Sequence, residues 1–311
     1  MQLPKNQKML TQDKYKMKGT TGAKLKHTGF DYFNYILLGA FALLSIYPMI
    51  YVLAGSFNEG LDYIAGGIYF WPRSFTLENY KMVLTDPRLW DSYLITMIRT
   101  ILGTISGIIF TAMVAYGMSR KNLVGRSIYY RIFIFTMFFG GGLVPYFLVI
   151  LMLGLFDNFL VYIIPALFSV YNMLVFVNFF KSIPEEIHES AKMDGASEIT
   201  IFFRIILPLS LPVISTVGLW VAVGHWNSFF DTMIFTSSEK LWTLQYYLMK
   251  VIKEASIMPG GIPLPPEMLA NISPETISLA AIIISVIPIL VLYPLIFRFL
   301  TKGVIIGSLK G

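Results

Sequence analysis

The chain contains 311 residues, 56% of them hydrophobic and 14% charged, with no cysteine and a formal net charge of +6. Soluble domains carry roughly 25% charged residues, so composition excludes an ordinary water-soluble globule and indicates a membrane protein, while the lack of thiols removes disulfides and thiolate metal sites. No aromatic-and-basic nucleic-acid module accompanies the positive charge, which reads as membrane topology and attraction to an anionic leaflet rather than nucleic-acid binding.

Residues 1–31 form a Lys-rich tail (Lys5, Lys8, Lys14, Lys16, Lys18, Lys24, Lys26) expected to be flexible. Apolar runs without charge follow at Asn34–Phe57, Thr100–Gly117, Ile132–Phe156, Phe159–Phe180, Ile205–Phe230 and Ile277–Phe297. About 20 helical residues cross about 30 Å of hydrocarbon, and backbone groups deprived of water must be satisfied within the helix. The expectation is an all-α, polytopic fold of six transmembrane helices over residues 32–300, with a C-terminal tail at 301–311. The first run is too long for a signal-peptide core and is expected to be retained. Gly140, Gly141 and Gly142 with Pro145 should bend the third run, and Asp157 and Asn158 should mark the turn of a tight hairpin between the third and fourth. In the long outward loop 235–276, Leu241, Leu244, Leu248, Val251 and Ala255 follow the spacing of an amphipathic helix, and "PGGIPLPP" should make a stiff arm. That helix either lies on the bilayer surface or belongs to a docking arm.

Lys and Arg accumulate on the cytoplasmic side of membrane proteins. With six spans, the N-terminal tail, the loop holding Arg120, Lys121, Arg126 and Arg131, the loop holding Lys181, Lys192 and Arg204, and the C-terminus with Arg298, Lys302 and Lys310 fall on one side. The other side keeps Arg73, Lys81, Arg88, Arg99, Lys240, Lys250 and Lys253, mostly in loops 58–91 and 235–276. Both termini are therefore expected in the cytoplasm.

The stretch "KSIPEEIHESAKMDGASEITIFFRIILPLSLP", residues 181–212, is the most charged passage of the interior. Each charge near a bilayer centre costs about 2.5–3.5 kcal/mol on insertion scales, so its charged part stays in water. Ser182 and Glu185 have the S-x-x-E spacing of a capping box, which places a helix start near Ile183. Asp194-Gly195 should end this helix by about Met193. In a second helix, Ile199, Phe202, Phe203 and Ile206 fall at i, i+3, i+4 and i+7 as one apolar stripe, and Pro208 and Pro212 punctuate the exit. Acidic residues beside the small Ala191 suit a docking helix for a cytoplasmic partner; a solvated loop that only fixes topology would need none of these devices.

This stretch resembles the EAA loop of ABC importer permeases: Glu189, Ala191, Asp194, Gly195, Pro208 and Pro212 fall on its pattern, Ala196 completes its Asp-Gly-Ala, and Ser190 stands where the first Ala would be. "FWPRSFTLENYKMVL", "WNSFFDTMIF" and "KGVIIGSLKG" are likewise similar to carbohydrate-type permeases, in particular those serving complex oligosaccharides. The resemblance implies a non-enzymatic, multi-pass subunit of the bacterial cell membrane whose coupling loop, through Glu189, Ser190, Ala191, Asp194, Gly195, Ala196 and Pro208, seats on an ATP-binding cassette subunit. ATP and Mg would reside on that partner and no cofactor on this chain. A second, homologous permease chain, an extracytoplasmic solute-binding protein and a carbohydrate substrate complete the implied assembly.

No Walker A pattern G-x-x-x-x-G-K-[ST] occurs, so the energy source lies elsewhere. A secondary transporter or channel acting without an ATPase is the alternative, but it would place ionisable relays at mid-membrane, and His225 is the one such group inside a run. No catalytic constellation assembles on one face. Tyr171, Asn172, Asn178, Trp226 and Asn227 carry the hydroxyl, amide and aromatic chemistry of a sugar path, or equally serve as polar contacts between helices.

Overall fold

The computed structural model describes residues 28–257 and 272–308, so the tail before Thr28 and the "PGGIPLPP" arm lie outside the described residues. The chain forms two units, residues 1–49 and 50–311. Helix α1 (Gly29–Ser56) supplies the described part of the first; its Phe30, Ile36, Leu37, Phe41 and Leu44 are all exposed, an apolar surface around the whole circumference that suits lipid.

The second unit continues through α2 (Gly60–Ile64), α3 (Glu78–Leu84), α4 (Pro87–Ser119), α5 (Arg126–Phe138), α6 (Leu143–Met152) and two 3₁₀ turns, Phe159–Tyr162 and Ile164–Ala166. It then runs through α7 (Val170–Lys181), α8 (Glu185–Met193), α9 (Glu198–Ile201), a π-helical turn Phe202–Ile206, α10 (Leu207–Leu209), α11 (Leu211–Asn227), α12 (Phe230–Phe235), α13 (Leu244–Ile257) and α14 (Pro274–Ser308). Among the described residues, three helices are long and apolar enough to cross a membrane, and three bent pairs reach that length together, at angles of 113° for α5 and α6, 47° for the 3₁₀ turns and α7, and 83° for α9–α10 and α11.

Several expectations need correction. Helix α4 begins at Pro87, because Asp86 caps it by accepting from the Arg88 amide at 2.9 Å with Pro87 in the first turn. Arg99, assigned above to the outward side, is thereby inside the helix. The run Phe159–Phe180 is not one α-helix: Asn158 caps Leu160 at 2.9 Å, Pro165 interrupts the ladder, and Ser169 caps a new helix at Asn172. The break after Phe138 and the turn at Asp157 are where the residues suggested; Asp157 adopts φ 52° and its carboxylate accepts from the amides of Ser237 and Ser238 at 2.9 and 2.8 Å. The final helix runs on to Ser308 instead of ending at Phe297.

Packing gathers around α4. Its C-terminal half (Ala112, Ala115, Tyr116, Met118) shares a core with Met173, Phe176, Val177 and Phe180 of α7 and with Val213 and Val217 of α11. Near its other end, Leu89 joins Trp226 of α11, Leu244, Tyr247 and Leu248 of α13, and Ile277, Ala280, Ala281 and Ile284 of α14. The apolar face of α13 is thus covered by this chain rather than laid on the bilayer, and Leu241 falls in a separate 3₁₀ turn before it. The motif "FWPRSFTLENYKMVL" acquires a structural role. Asn58 accepts from the amides of Arg73 and Ser74 at 2.9 and 3.1 Å, while Asn79 donates to the carbonyls of Ser56 and Asn58 and accepts from Thr276 at 2.8 Å. Both asparagines are fully buried, and their satisfaction ties α3 to the start of α14.

Between the two cores lies a charged group. Arg99, 2% exposed, forms an ion pair with Asp231 of α12 and donates to Nδ1 of His225 at 3.4 Å. Its guanidinium sits 4.6 Å from the centre of the Tyr162 ring, and Ser228 donates to Asp231 at 3.2 Å. Gly103 makes room: a Cβ there would collide with the imidazole of His225. Removing one partner of a buried pair leaves an uncompensated charge and costs about 3–5 kcal/mol, whereas replacing both by apolar groups is often neutral. Arg99→Leu is accordingly expected to lower the melting midpoint of the purified protein in detergent and to raise its aggregated fraction, and adding Asp231→Leu should restore most of the loss. A double variant as unstable as the single one would show that the pair is not what joins these elements.

Candidate functional site

The 181–212 stretch folds as two short helices joined at a reversal. The capping box is not formed: Ser182 ends α7 and donates to the carbonyl of Phe179 at 2.7 Å, Pro184 occupies the cap position of α8, and Glu185 pairs with Lys121 at 2.5 Å. The end of α8 is as the residues suggested. The amide of Ala196 donates to the carbonyl of Ala191 and that of Gly195 to Lys192, each at 3.0 Å, with Gly195 at φ 80°. This is a Schellman cap, which requires a left-handed residue that glycine supplies without Cβ strain. Asp194, Gly195 and Ala196 are therefore the reversal itself.

The second helix departs from the expected stripe. Ser197 caps it at Thr200, but the π-helical turn Phe202–Ile206 widens the register. Ile201, Phe202 and Ile206 point inward, at 0%, 3% and 1% exposure, while Ile199 is 72% and Phe203 43% exposed. On α8 the inward residues are His188 and Ala191, so the small side chain of Ala191 admits the helix to this chain's own core. Glu189, Ser190, Met193 and Asp194 face outward, as does Pro208 on the exit arm.

One carboxylate organises the polar side. Glu198 accepts from the Tyr116 hydroxyl at 2.5 Å, from Nε2 of His188 at 3.1 Å and from Nζ of Lys192 at 2.7 Å. Partial burial pushes this carboxyl up, but hydrogen bonds from Lys192, Tyr116 and His188 outweigh it and hold the pKa down at about 2. Arg120 stacks 4.4 Å from the Tyr116 ring. The end of α4, both loop helices and the start of α11 thus form one packed body, with an open cleft among Tyr116, Lys121, Glu189 and Lys192. Glu198, Tyr116 and Lys121 were not among the expected site residues. An acidic residue next to a serine cap reads locally as a helix start, and nothing in the sequence reveals partners 82 residues away.

Of the sugar-path candidates, Tyr171, Asn178 and Asn227 are exposed, Asn172 is half-buried, and Trp226 is buried in the second core. Tyr171 and Trp220 contact each other at 6.1 Å between ring centres. His225 is not an isolated polar group; it belongs to the Arg99 cluster. Among the described residues no group of three His, Cys, Asp or Glu side chains converges to hold a metal ion.

The profile of the family described as "Binding-protein-dependent transport system inner membrane component" matches residues 94–306. The chain is similar to the polygalacturonan/rhamnogalacturonan transport system permease protein YtcP of Bacillus subtilis (strain 168), with 35% identity over 92% of this chain and 100% of that protein. Protein LplC of the same organism is 36% identical over 91% of this chain and 95% of its own length. A solved bacterial ABC transporter involved in the import of the acidic polysaccharide alginate has a chain that superposes with a TM-score of 0.79 and 32% identity, covering 86% of this chain and 95% of that one. The chain belongs to the family of binding-protein-dependent transport system inner membrane components, and is a multi-pass, non-catalytic permease subunit of an ABC importer.

Proposed function

We propose that this subunit carries an oligosaccharide through a path whose other half is a second, homologous permease chain. Loop 181–212 and both termini face the cytoplasm. There the loop seats on an ATP-binding cassette subunit, which holds ATP and Mg, while an extracytoplasmic solute-binding protein delivers the sugar to the outward loops 58–91 and 235–276.

The observation that carries the coupling reading is that the inner face of the loop belongs to the same core as the membrane helices: Ala191, Ile201, Phe202 and Ile206 pack with Ala115, Phe176 and Val217. A push on the exposed residues Glu189, Ser190 and Asp194 therefore reaches α4, α7 and α11 through close-packed contacts. Moving a two-state path from 1:99 to 99:1 needs about 5.5 kcal/mol of differential binding, which a loosely attached loop could not transmit. The orientation is supported by the Lys and Arg distribution. An oligosaccharide is supported by the relatives' names, and a carboxylate-bearing one is favoured because alginate is acidic. Tyr171, Asn178 and Asn227 are the exposed residues best suited to line the path. An ion-coupled mechanism is disfavoured because the intramembrane charges of Arg99 and Asp231 neutralise each other.

Three outcomes test this. In the reconstituted four-component transporter, uptake of a uronic-acid oligosaccharide should require ATP and binding protein; full uptake driven by an ion gradient alone would overturn the assignment. Gly195→Val forces a β-branched residue into the left-handed region at a cost of about 1–2 kcal/mol. It should cut sugar uptake at least tenfold while ATP hydrolysis by the complex continues, and unchanged uptake would remove Gly195 from the coupling role. Because the folded-state pKa of Glu198 lies at about 2, below its ordinary 4.5, its contribution to loop docking is complete above about pH 4.5 and is lost as pH falls toward about 2. Proteolysis within the loop should accordingly be flat from neutral pH to pH 5 and accelerate below 4.5, and Glu198→Gln should abolish that step.

A further inference from the structure

Four cations converge on one cleft where α4 ends, α5 begins and α7 ends: Arg120, Lys121, Arg126 and Lys181, facing two carboxylates, Glu185 and Glu186. Lys121 is paired with Glu185 at 2.5 Å. Arg120, Arg126 and Lys181 have no carboxylate partner among the described residues. Arg126 and Lys181 share a ring, their charged groups lying 5.5 and 5.9 Å from the centre of Tyr130. Two like charges gathered around one ring repel each other, a cost that an anion bound in the cleft would offset. The Nε–H groups of Arg120 and Arg126 are buried with no hydrogen-bond acceptor among the described residues, so both guanidinium groups, of the kind that grips phosphate oxygens, have an unmet donor. Helix α5 adds to this, since Gly125 offers no capping side chain and the first turn carries no acid.

The surroundings identify the source of the anion. The cleft opens beside α5, whose Ile128, Ile132 and Phe135 are 55%, 52% and 59% exposed, with Tyr129 next to Ile128 at 47%. Such an exposed apolar helix face with a tyrosine in its first turns suits the boundary between acyl chains and headgroups. We propose that this cleft binds the phosphodiester of an anionic phospholipid, with Arg120, Arg126 and Lys181 on the phosphate and the acyl chains along α5. Glu185 and Glu186 of α8 form the opposite wall, so an occupied cleft sets a lipid directly against the loop helix. The inference rests on the chain being a membrane permease, not on the sugar or on coupling.

Native mass spectrometry of the full-length complex in detergent, titrated with phosphatidylglycerol, phosphatidylcholine or inorganic phosphate, tests it. Phosphatidylglycerol should bind at least tenfold more tightly than phosphatidylcholine. Arg126→Gln with Lys181→Gln should remove that preference, whereas Lys240→Gln with Lys253→Gln on the outward loop should keep it. Arg126→Lys, which retains charge but loses the planar fork, should weaken phosphatidylglycerol binding while preserving the elution profile of the complex, which guards against misfolding. Equal affinity for the two lipids, or an unchanged preference in the Arg126/Lys181 double variant, would overturn the proposal. So would displacement of phosphatidylglycerol by millimolar inorganic phosphate, which would mark a site for free phosphate. These readouts are binding alone and are independent of ATP-driven uptake, so failure here leaves the transport reading standing, and the reverse.

Discussion

The carboxylate of Glu198 is the contact through which the paired helices of residues 181–212 and the end of α4 become one object. It takes a hydroxyl from α4 through Tyr116 and two nitrogens from α8 through His188 and Lys192. Behind it, Ile201, Phe202 and Ile206 close the same joint by apolar packing. Polar contacts fix the angle between the helices because hydrogen bonds are directional, and apolar burial supplies most of the adhesion. Neither would suffice alone: a greasy contact could slide, and a half-exposed ion pair contributes little.

Nearer the middle of the same helix, Arg99 plays a matching part. A cation at 2% exposure is tolerated because Asp231 lies against it, Tyr162 offers its ring and His225 accepts from it. Helix α4 is therefore a rod with one charged junction inside it at Arg99 and another near its C-terminal end at Tyr116, and the small residues between them, Ala112 and Ala115 among others, let α7 and α11 lie close along it. The helix between these two junctions is unbroken, from Arg99 to Tyr116.

The membrane character, the six apolar segments, the break at Gly140–Gly142 and the reversal at Asp194-Gly195 were all readable in the residues, because hydropathy and glycine geometry act over a few positions. What escaped depended on distant partners or on competition. Ser182 had the right spacing for a capping box, yet it closes α7 instead, its hydroxyl turned to the Phe179 carbonyl while Pro184 takes the cap position of α8. The stripe at Ile199 and Phe203 assumed a 3.6-residue period that the π-helical turn does not keep. Arg99 looked like a loop charge because it stands at the edge of its apolar run, and only Asp231, 132 positions later, makes it an interior residue. The candidate loop residues came from a resemblance to a family and their coupling role is a proposal, whereas Glu198, the polar hub of that loop's packing, was not among them.

The corner at Ser210 carries one more implication. Its amide is shared between the carbonyls of Ile206 and Leu207, at 3.0 and 3.1 Å, and Pro208 and Pro212 have no amide to contribute. The backbone there starts with fewer bonds to rupture than an unbroken helix would have when it flexes. Compliance at this elbow is obtained by subtraction, and it sits where a stiff arm meets a stiff membrane helix.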